Sequence, residues 1–262
     1  MASSTKNPKV TAKTIATFED FTSTPGLYKI DARTVIKTGV ATGMAEAAAL
    51  RFVRENTSVP VPQVYDAYMR EDDPECGAIV MEFIKGDTLN NVWAELDQSQ
   101  KDSIKAQLKD YVGQLRAIKS DFIGAVDGGP CHDQIFSDDI GAYGPFKSDD
   151  EFREGCIQAM YACRRTHWSE TVAQFIRALP QGEIVLTHND LHPRNIIVRD
   201  GQVVGIVDWE MSGFYPKYWE YVKAWYRVGI DEVWVQERAV DDVLEPYPLA
   251  LAVFEHTRDI VW

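Results

Sequence analysis

Apolar residues in the first third of the chain come in short runs, at residues 27–30, 34–37, 64–68 and 78–84. The last, AIVMEFI, is nearly unbroken, as in a strand buried on both faces. Between the second and third runs, residues 44–55 are rich in Ala and free of Gly and Pro, which predicts one helix. Asn56 and the VPVP that follows close it, because proline cannot continue the hydrogen-bond ladder. Beyond Gly86 the period changes. Ile104, Leu108, Tyr111, Val112, Leu115 and Ile118 recur at helical spacing and predict a long amphipathic helix over 101–119, with Ser99 and the acids after it suited to its first turn. Residues 124–147 are rich in Gly, Asp and Pro and read as a long loop. Helical patterns return at 149–163, 171–179 and from 218 onward, around one strand-rich island at 183–210. The expected fold class is therefore α+β, with a small strand-rich lobe over 1–85 carrying one helix and a larger, mainly helical lobe over 86–262.

The island reads EIVLTHNDLHPRNIIVRDGQVVGIVDWE. Asp200-Gly201 between two apolar runs is a two-residue hairpin signal, since both positions tolerate a positive φ. A symmetric hairpin sets Arg199 opposite Gln202 and Asn195 opposite Ile206, with Asp208 two residues further along. Residues two apart, and residues directly opposed, share a face. Asn195 and Asp208 are then expected on one side at the open end, where their oxygens suit a hard cation such as Mg²⁺. Asp190 reaches the same end through the tight segment containing Pro193. A metal pair beside a free carboxylate is what phosphoryl transfer needs: cations neutralise the phosphate oxygens, and an acceptor oxygen orients the attacking hydroxyl. Taken singly, His188 reads as a hydrogen-bonded core histidine, Asn195 as a turn residue and Asp208 as a strand-end cap. The joint spacing, H-x-D-x4-N with an Asp thirteen residues later, points to a site.

Glu46, Ala49, Leu50 and Val53 fall on one helix face, so a carboxylate interrupts an apolar stripe. A charge turned inward needs a partner, and Lys37 on the strand just upstream is the natural one. The alternative is an exposed lysine and an acid favoured by the helix dipole.

Charge narrows the partners. With 40 acidic and 27 basic residues the formal net charge is −13, which argues against a surface built for nucleic acid or anionic lipid. No run approaches the ~18 apolar residues of a membrane helix. Lys6, Lys9 and Lys13 precede no signal-type apolar stretch. Cys76, Cys131, Cys156 and Cys163 lack CxxC spacing and read as reduced thiols, so a cytoplasmic protein is expected, without nucleic-acid or membrane partners.

HNDLHPRNIIV followed by GIVDWE resembles the signature of aminoglycoside phosphotransferases, close to the choline kinases and distantly related to protein kinases. The likeness covers residues 26–226, and ENTSVPVPQVYDAY and IVMEFIKGDTL are similar to a fungal-type branch of that family. The resemblance implies a bilobal protein-kinase-like fold with ATP between the lobes and a hydroxyl on a small, cationic or neutral molecule as acceptor. By motif position it implies Asp190 as catalytic base, His188 as a brace of the catalytic loop, and Asn195 and Asp208 as Mg²⁺ ligands. It likewise implies Lys37, supported by Glu46, on the nucleotide phosphates, Met81 beside the adenine, and the backbone of Glu82, Phe83 and Ile84 hydrogen-bonded to it. One departure stands out. No G-x-G-x-x-G precedes the lysine strand, so either Ser23, Thr24 and nearby amides cap the phosphates or the nucleotide is held loosely.

After Asp208, Glu210 with Phe214, Tyr215, Tyr218, Trp219, Tyr221, Trp225 and Tyr226 forms either an aromatic and acidic lining for a cation or a buried helix face, and the loop from Gly128 to Asp133 is a further candidate frame for the acceptor site. Other readings are a nucleotide-binding protein with impaired catalysis, a metal-dependent phosphoester hydrolase, for which five scattered histidines provide few ligands, and a different reaction on the same scaffold.

Overall fold

The computed structural model of the protein describes residues 26–40, 43–136, 143–227 and 232–261. Ser23 and Thr24, the expected phosphate caps, lie outside them. Four strands, β1 (Leu27–Lys29), β2 (Thr34–Val40), β3 (Val64–Met69) and β4 (Cys76–Glu82), pair antiparallel in the order β1-β2-β4-β3. Helix α1 (Gly43–Asn56) links β2 to β3 and packs on this sheet. The register explains the unbroken apolar run in β4: Ile36 and Val80 pair on one face and pack with Ile30 and Tyr68, while Val35 and Met81 pair on the other and enter the main core. Lys37, two residues after Val35 and opposite Ile79, stands on that second face, turned toward α1 and the lower lobe.

The chain crosses to the lower lobe through residues 83–86 and forms β5 (Asp87–Thr88) and the short α2 (Leu89–Val92). Helix α3 (Gln98–Ala117) follows, capped by Asp97 in a reciprocal box with Gln100, and Ser99 lies in its first turn, as expected. Helices α4 (Asp149–Cys163) and α5 (His167–Arg177) flank the long loop and the island. The island itself supplies β6 (Ile184–Thr187), β7 (Ile196–Arg199), β8 (Gln202–Ile206) and β9 (Gly213–Pro216), arranged as β5-β7-β8 and β6-β9. Helices α6 (Trp219–Arg227), α7 (Val233–Gln236), α8 (Ala239–Val243) and α9 (Pro248–Val261) complete the chain. One core cluster runs through both lobes, from Leu50, Val53 and Met81 to Ile104, Leu108, Ile196 and Trp209; a second joins α4, α5, α6 and α9. None of the described helices is long and apolar enough to cross a membrane, and all four cysteines are free.

Gly86 fixes how the lobes meet. A Cβ there would lie 2.6 Å from the Val198 carbonyl oxygen and 2.7 Å from Ile197 Cγ2, so the crossover lies directly on β7. Gly86→Ala forces the backbone apart and should cost about 1–3 kcal/mol, as overpacking does. Urea unfolding with an unchanged m-value is the check.

Candidate active site

The segment after β6 is held from three directions. His188 accepts the Asp190 backbone N–H at Nδ1 (3.1 Å) and lies 3.0 Å from the Val207 carbonyl through Nε2, which assigns a neutral ring with its proton on Nε2. The buried Glu220 accepts the backbone N–H groups of His188 and Asn189, at 2.7 and 3.0 Å. Asn189, left-handed at φ 72°, donates its side-chain amide to Asp133 (2.6 Å) and to the Met211 carbonyl (3.0 Å). Asp133 also receives Lys223 Nζ (3.0 Å), Trp219 Nε1 (2.8 Å) and the Ile135 amide (2.9 Å). Burial alone would raise the Asp133 carboxyl, but Lys223 and these donors outweigh it and hold it below its usual range.

Asp190, itself buried, takes Arg194 Nη2 on both oxygens, at 3.2 and 3.0 Å, and Asn195 Nδ2 on Oδ2 at 2.9 Å. The same Nδ2 bonds the Asp190 carbonyl at 2.9 Å. Asn195 thus spends its donor on the loop, and its carbonyl oxygen is the atom left to act as a ligand.

The hairpin tip is as expected, with Asp200 and Gly201 at φ 51° and 72° and Arg199 opposite Gln202. The expected pairing of Asn195 with Ile206 is not. A bulge between Ile197 and Val198 shifts the ladder, so that Ile196 faces Ile206, and Val207 donates its N–H to the Asn195 carbonyl at 2.9 Å. A one-residue shift reverses faces, so simple alternation no longer sets Asp208 beside Asn195. Instead the chain leaves β8 after Ile206, and Asp208 adopts φ 66°, which re-aims its side chain. Gly205 permits the bulged strand to lie against Ile84, whose Cδ1 would be 2.5 Å from any Cβ there. Val207 is therefore bonded on both sides by the segment after β6, to His188 and to Asn195, and Asp208 is the next residue.

Lys37 meets three carboxylates: Glu46 at 2.8 Å, Asp208 at 2.6 Å and Glu210 at 3.1 Å. The inferred Lys37–Glu46 pair is present, with the Glu46 side chain only 2% exposed. Burial works against the Lys37 charge, yet the three carboxylates overcome it and raise its pKa. Burial pushes Glu46 upward against the pull of Lys37.

The hinge expectation narrows. Met81 is buried at the end of β4, but the Glu82 N–H donates to the Gln63 carbonyl (2.9 Å) and the Phe83 N–H to the Arg33 carbonyl (2.8 Å). Of the three amides only that of Ile84 has no acceptor among the described residues. Of the aromatic stretch, Phe214, Tyr215, Tyr218, Trp219 and Tyr221 are buried core, so packing and not a substrate lining accounts for them.

Sequence reasoning had not singled out Arg194, Glu220 or Lys223 for the site, and had set Glu210 and Asp133 only among candidate surroundings of the acceptor. Glu210 carried a signal, an acid two residues beyond Asp208. Glu220 and Lys223 did not, because helical spacing hides which side chain turns toward a distant loop. Asp133→Asn leaves the Lys223 charge buried without its partner and should destabilise by about 3–5 kcal/mol at neutral pH. Because the folded Asp133 pKa is depressed, its contribution is complete above the unfolded carboxyl value of about 4 and is lost as pH falls through the folded one. The gap in melting temperature between the two proteins should accordingly close in acid.

Comparison with solved structures gives an aminoglycoside-3'-phosphotransferase of type VIII at TM-score 0.59 and 17% identity, over 93% of this chain and 92% of that one. The gentamicin complex of APH(2")-IIa aligns at TM-score 0.57 and 17% identity, over 88% of this chain and 76% of that one. APH(4)-Ia aligns at TM-score 0.56 and 15% identity, over 88% and 77%. At these identities the likeness establishes the fold, which is the bilobal kinase-like one. No curated protein matches the chain. Residues 36–249, which include every site residue named above, match the phosphotransferase enzyme family known as APH, and the chain belongs to that family.

Proposed function

We propose that the protein transfers the terminal phosphoryl group of ATP, with Mg²⁺, to a hydroxyl of a small molecule, using lobes that meet at residues 85 and 86. The observation that carries this reading is the double tie of the catalytic loop to Val207, which sets Asp190 and Asn195 against the residue that precedes Asp208. The donor chemistry fits Mg²⁺: a carboxylate from Asp208 and an amide oxygen from Asn195 are hard ligands, and octahedral Mg²⁺ keeps waters and phosphate oxygens for its other positions. When bound, Mg²⁺ would neutralise charge on the phosphate oxygens.

The chain's own groups do the rest. Lys37 carries a full positive charge held on the core face of the sheet, placed to pair with phosphate oxygens. The Ile84 amide is the hinge donor available to an adenine ring nitrogen, with Met81 beside it. Asp190 orients the acceptor hydroxyl and accepts its proton during transfer. Arg194, 44% exposed, covers the Asp190 carboxylate and swings aside for the acceptor. A cationic acceptor is favoured, because Asp208 and Glu210 add negative charge at the cleft and are each 34% exposed.

Single-turnover transfer from radiolabelled ATP tests this reading. Asp190→Asn should slow transfer by about 10²–10⁴-fold, the usual worth of a positioned base. The same variant should keep the melting-temperature rise that Mg·ATP gives the wild type. An Asp190→Asn enzyme of unchanged rate removes the assigned base, and a wild type without any nucleotide-dependent shift removes ATP.

A further inference from the structure

A second cavity, of about 580 Å³, opens beside the hinge and is separate from the groups described so far. It shares Glu82, Phe83, Ile84 and Lys85 with the hinge but includes none of Lys37, Glu46, Asp190, Asn195 or Asp208. Four cations line it, Arg33, Arg54, Lys85 and Arg199, against one acid, Glu82. In a chain of net charge −13 this is a local reversal of sign.

The cations are not there to satisfy neighbouring acids. Among the described residues none of the four forms an ion pair with a carboxylate. The exposed Asp31 takes its hydrogen bonds from the Arg33 backbone N–H and from Thr34 and meets the Arg33 side chain only through its charge, and the Glu82 carboxylate accepts the Gln63 amide at 3.2 Å. Two of the guanidinium groups are pre-positioned by backbone carbonyls: Arg54 donates Nη1 to Val61 at 3.1 Å, and Arg199 donates Nη1 to Lys85 at 3.3 Å. Each keeps further N–H donors in a rigid fork, the geometry that matches phosphate oxygens.

We propose that this cavity binds a small polyanion carrying two or more phosphate groups, at a site distinct from the nucleotide cleft. The volume lies in the range of small-ligand pockets, and the unpaired like charges gain most from a multiply charged, compact occupant. Arg54 belongs to α1, which carries Glu46; Lys85 belongs to the crossover; Arg199 ends β7, which begins one residue after Asn195. An occupant therefore touches three elements that position the cleft, and its binding is coupled to the cleft wherever the lobes shift.

Inorganic tripolyphosphate, titrated by calorimetry with Mg²⁺ in excess, is the probe. Wild type should bind it at a site that Asp208→Asn, which removes a proposed cleft ligand, retains and that Arg33→Glu/Lys85→Glu weakens at least tenfold. Among the described residues neither substituted side chain makes a hydrogen bond or an ion pair, so the double variant should melt with the wild type; Arg33→Gln/Lys85→Gln, with less charge change, should lose affinity by a smaller factor. Because the cavity site is read in Asp208→Asn, its outcome is independent of the phosphotransferase reading. Equal binding by wild type and the charge-reversed variant, binding that vanishes in Asp208→Asn, or no binding at millimolar concentration each overturns the proposal.

Discussion

One ammonium group joins the two lobes. Lys37 stands on the upper sheet, Glu46 on the helix packed against it, and Asp208 and Glu210 on the stretch that leaves the lower hairpin. Without Lys37 three carboxylates would face one another at an interface, a strongly unfavourable arrangement in a partly dry environment. With it the formal balance, three negative charges against one positive, is still −2. That residual negative charge supports the proposed divalent cation, because binding one would relieve repulsion that the fold alone leaves unrelieved. The same arithmetic explains why Lys37 keeps its proton despite burial.

The proposed catalytic loop solves a different problem, which is rigidity without regular structure. Between β6 and β7 the chain has few ladder bonds, so its backbone amides need partners elsewhere. Glu220 takes two of them, His188 takes a third, and Asn189 reaches Asp133 on the long loop. Two of these braces, Glu220 and Asp133, come from elements far along the chain, and together with the local His188 bond they hold Asp190 in one place within a short irregular segment. Preorganised placement of this kind is what the proposed role of Asp190 requires, since a base held in place needs no reorganisation at the moment of transfer.

Much of this was legible in the sequence where the physics is local. The strand and helix periods gave both lobes, the Asp200-Gly201 turn gave the hairpin, and the lone acid on the apolar face of α1 gave the Lys37–Glu46 pair. Tertiary contacts decided the remainder. The bulge depends on Gly205 meeting Ile84 of the hinge, and no pattern within the hairpin announces it. The Lys223–Asp133 pair spans 90 residues and the Asn189–Asp133 bond 56, so neither leaves a spacing to read. The hinge amides of Glu82 and Phe83 looked available until the carbonyls of Gln63 and Arg33 were placed against them. The aromatic stretch after Asp208 had two readings because burial and substrate lining share the same composition.

The central claim is that Asn195 and Asp208 converge on one ion although simple hairpin pairing does not bring them together. Electron paramagnetic resonance of Mn²⁺, titrated into the protein with a non-hydrolysable ATP analogue, reads that convergence directly. Asn195→Ala and Asp208→Asn should each weaken bound Mn²⁺ by about tenfold or more, as loss of a ligand or its support does, whereas Asp190→Asn should leave it in place. Mn²⁺ held equally well by all four proteins would contradict the account.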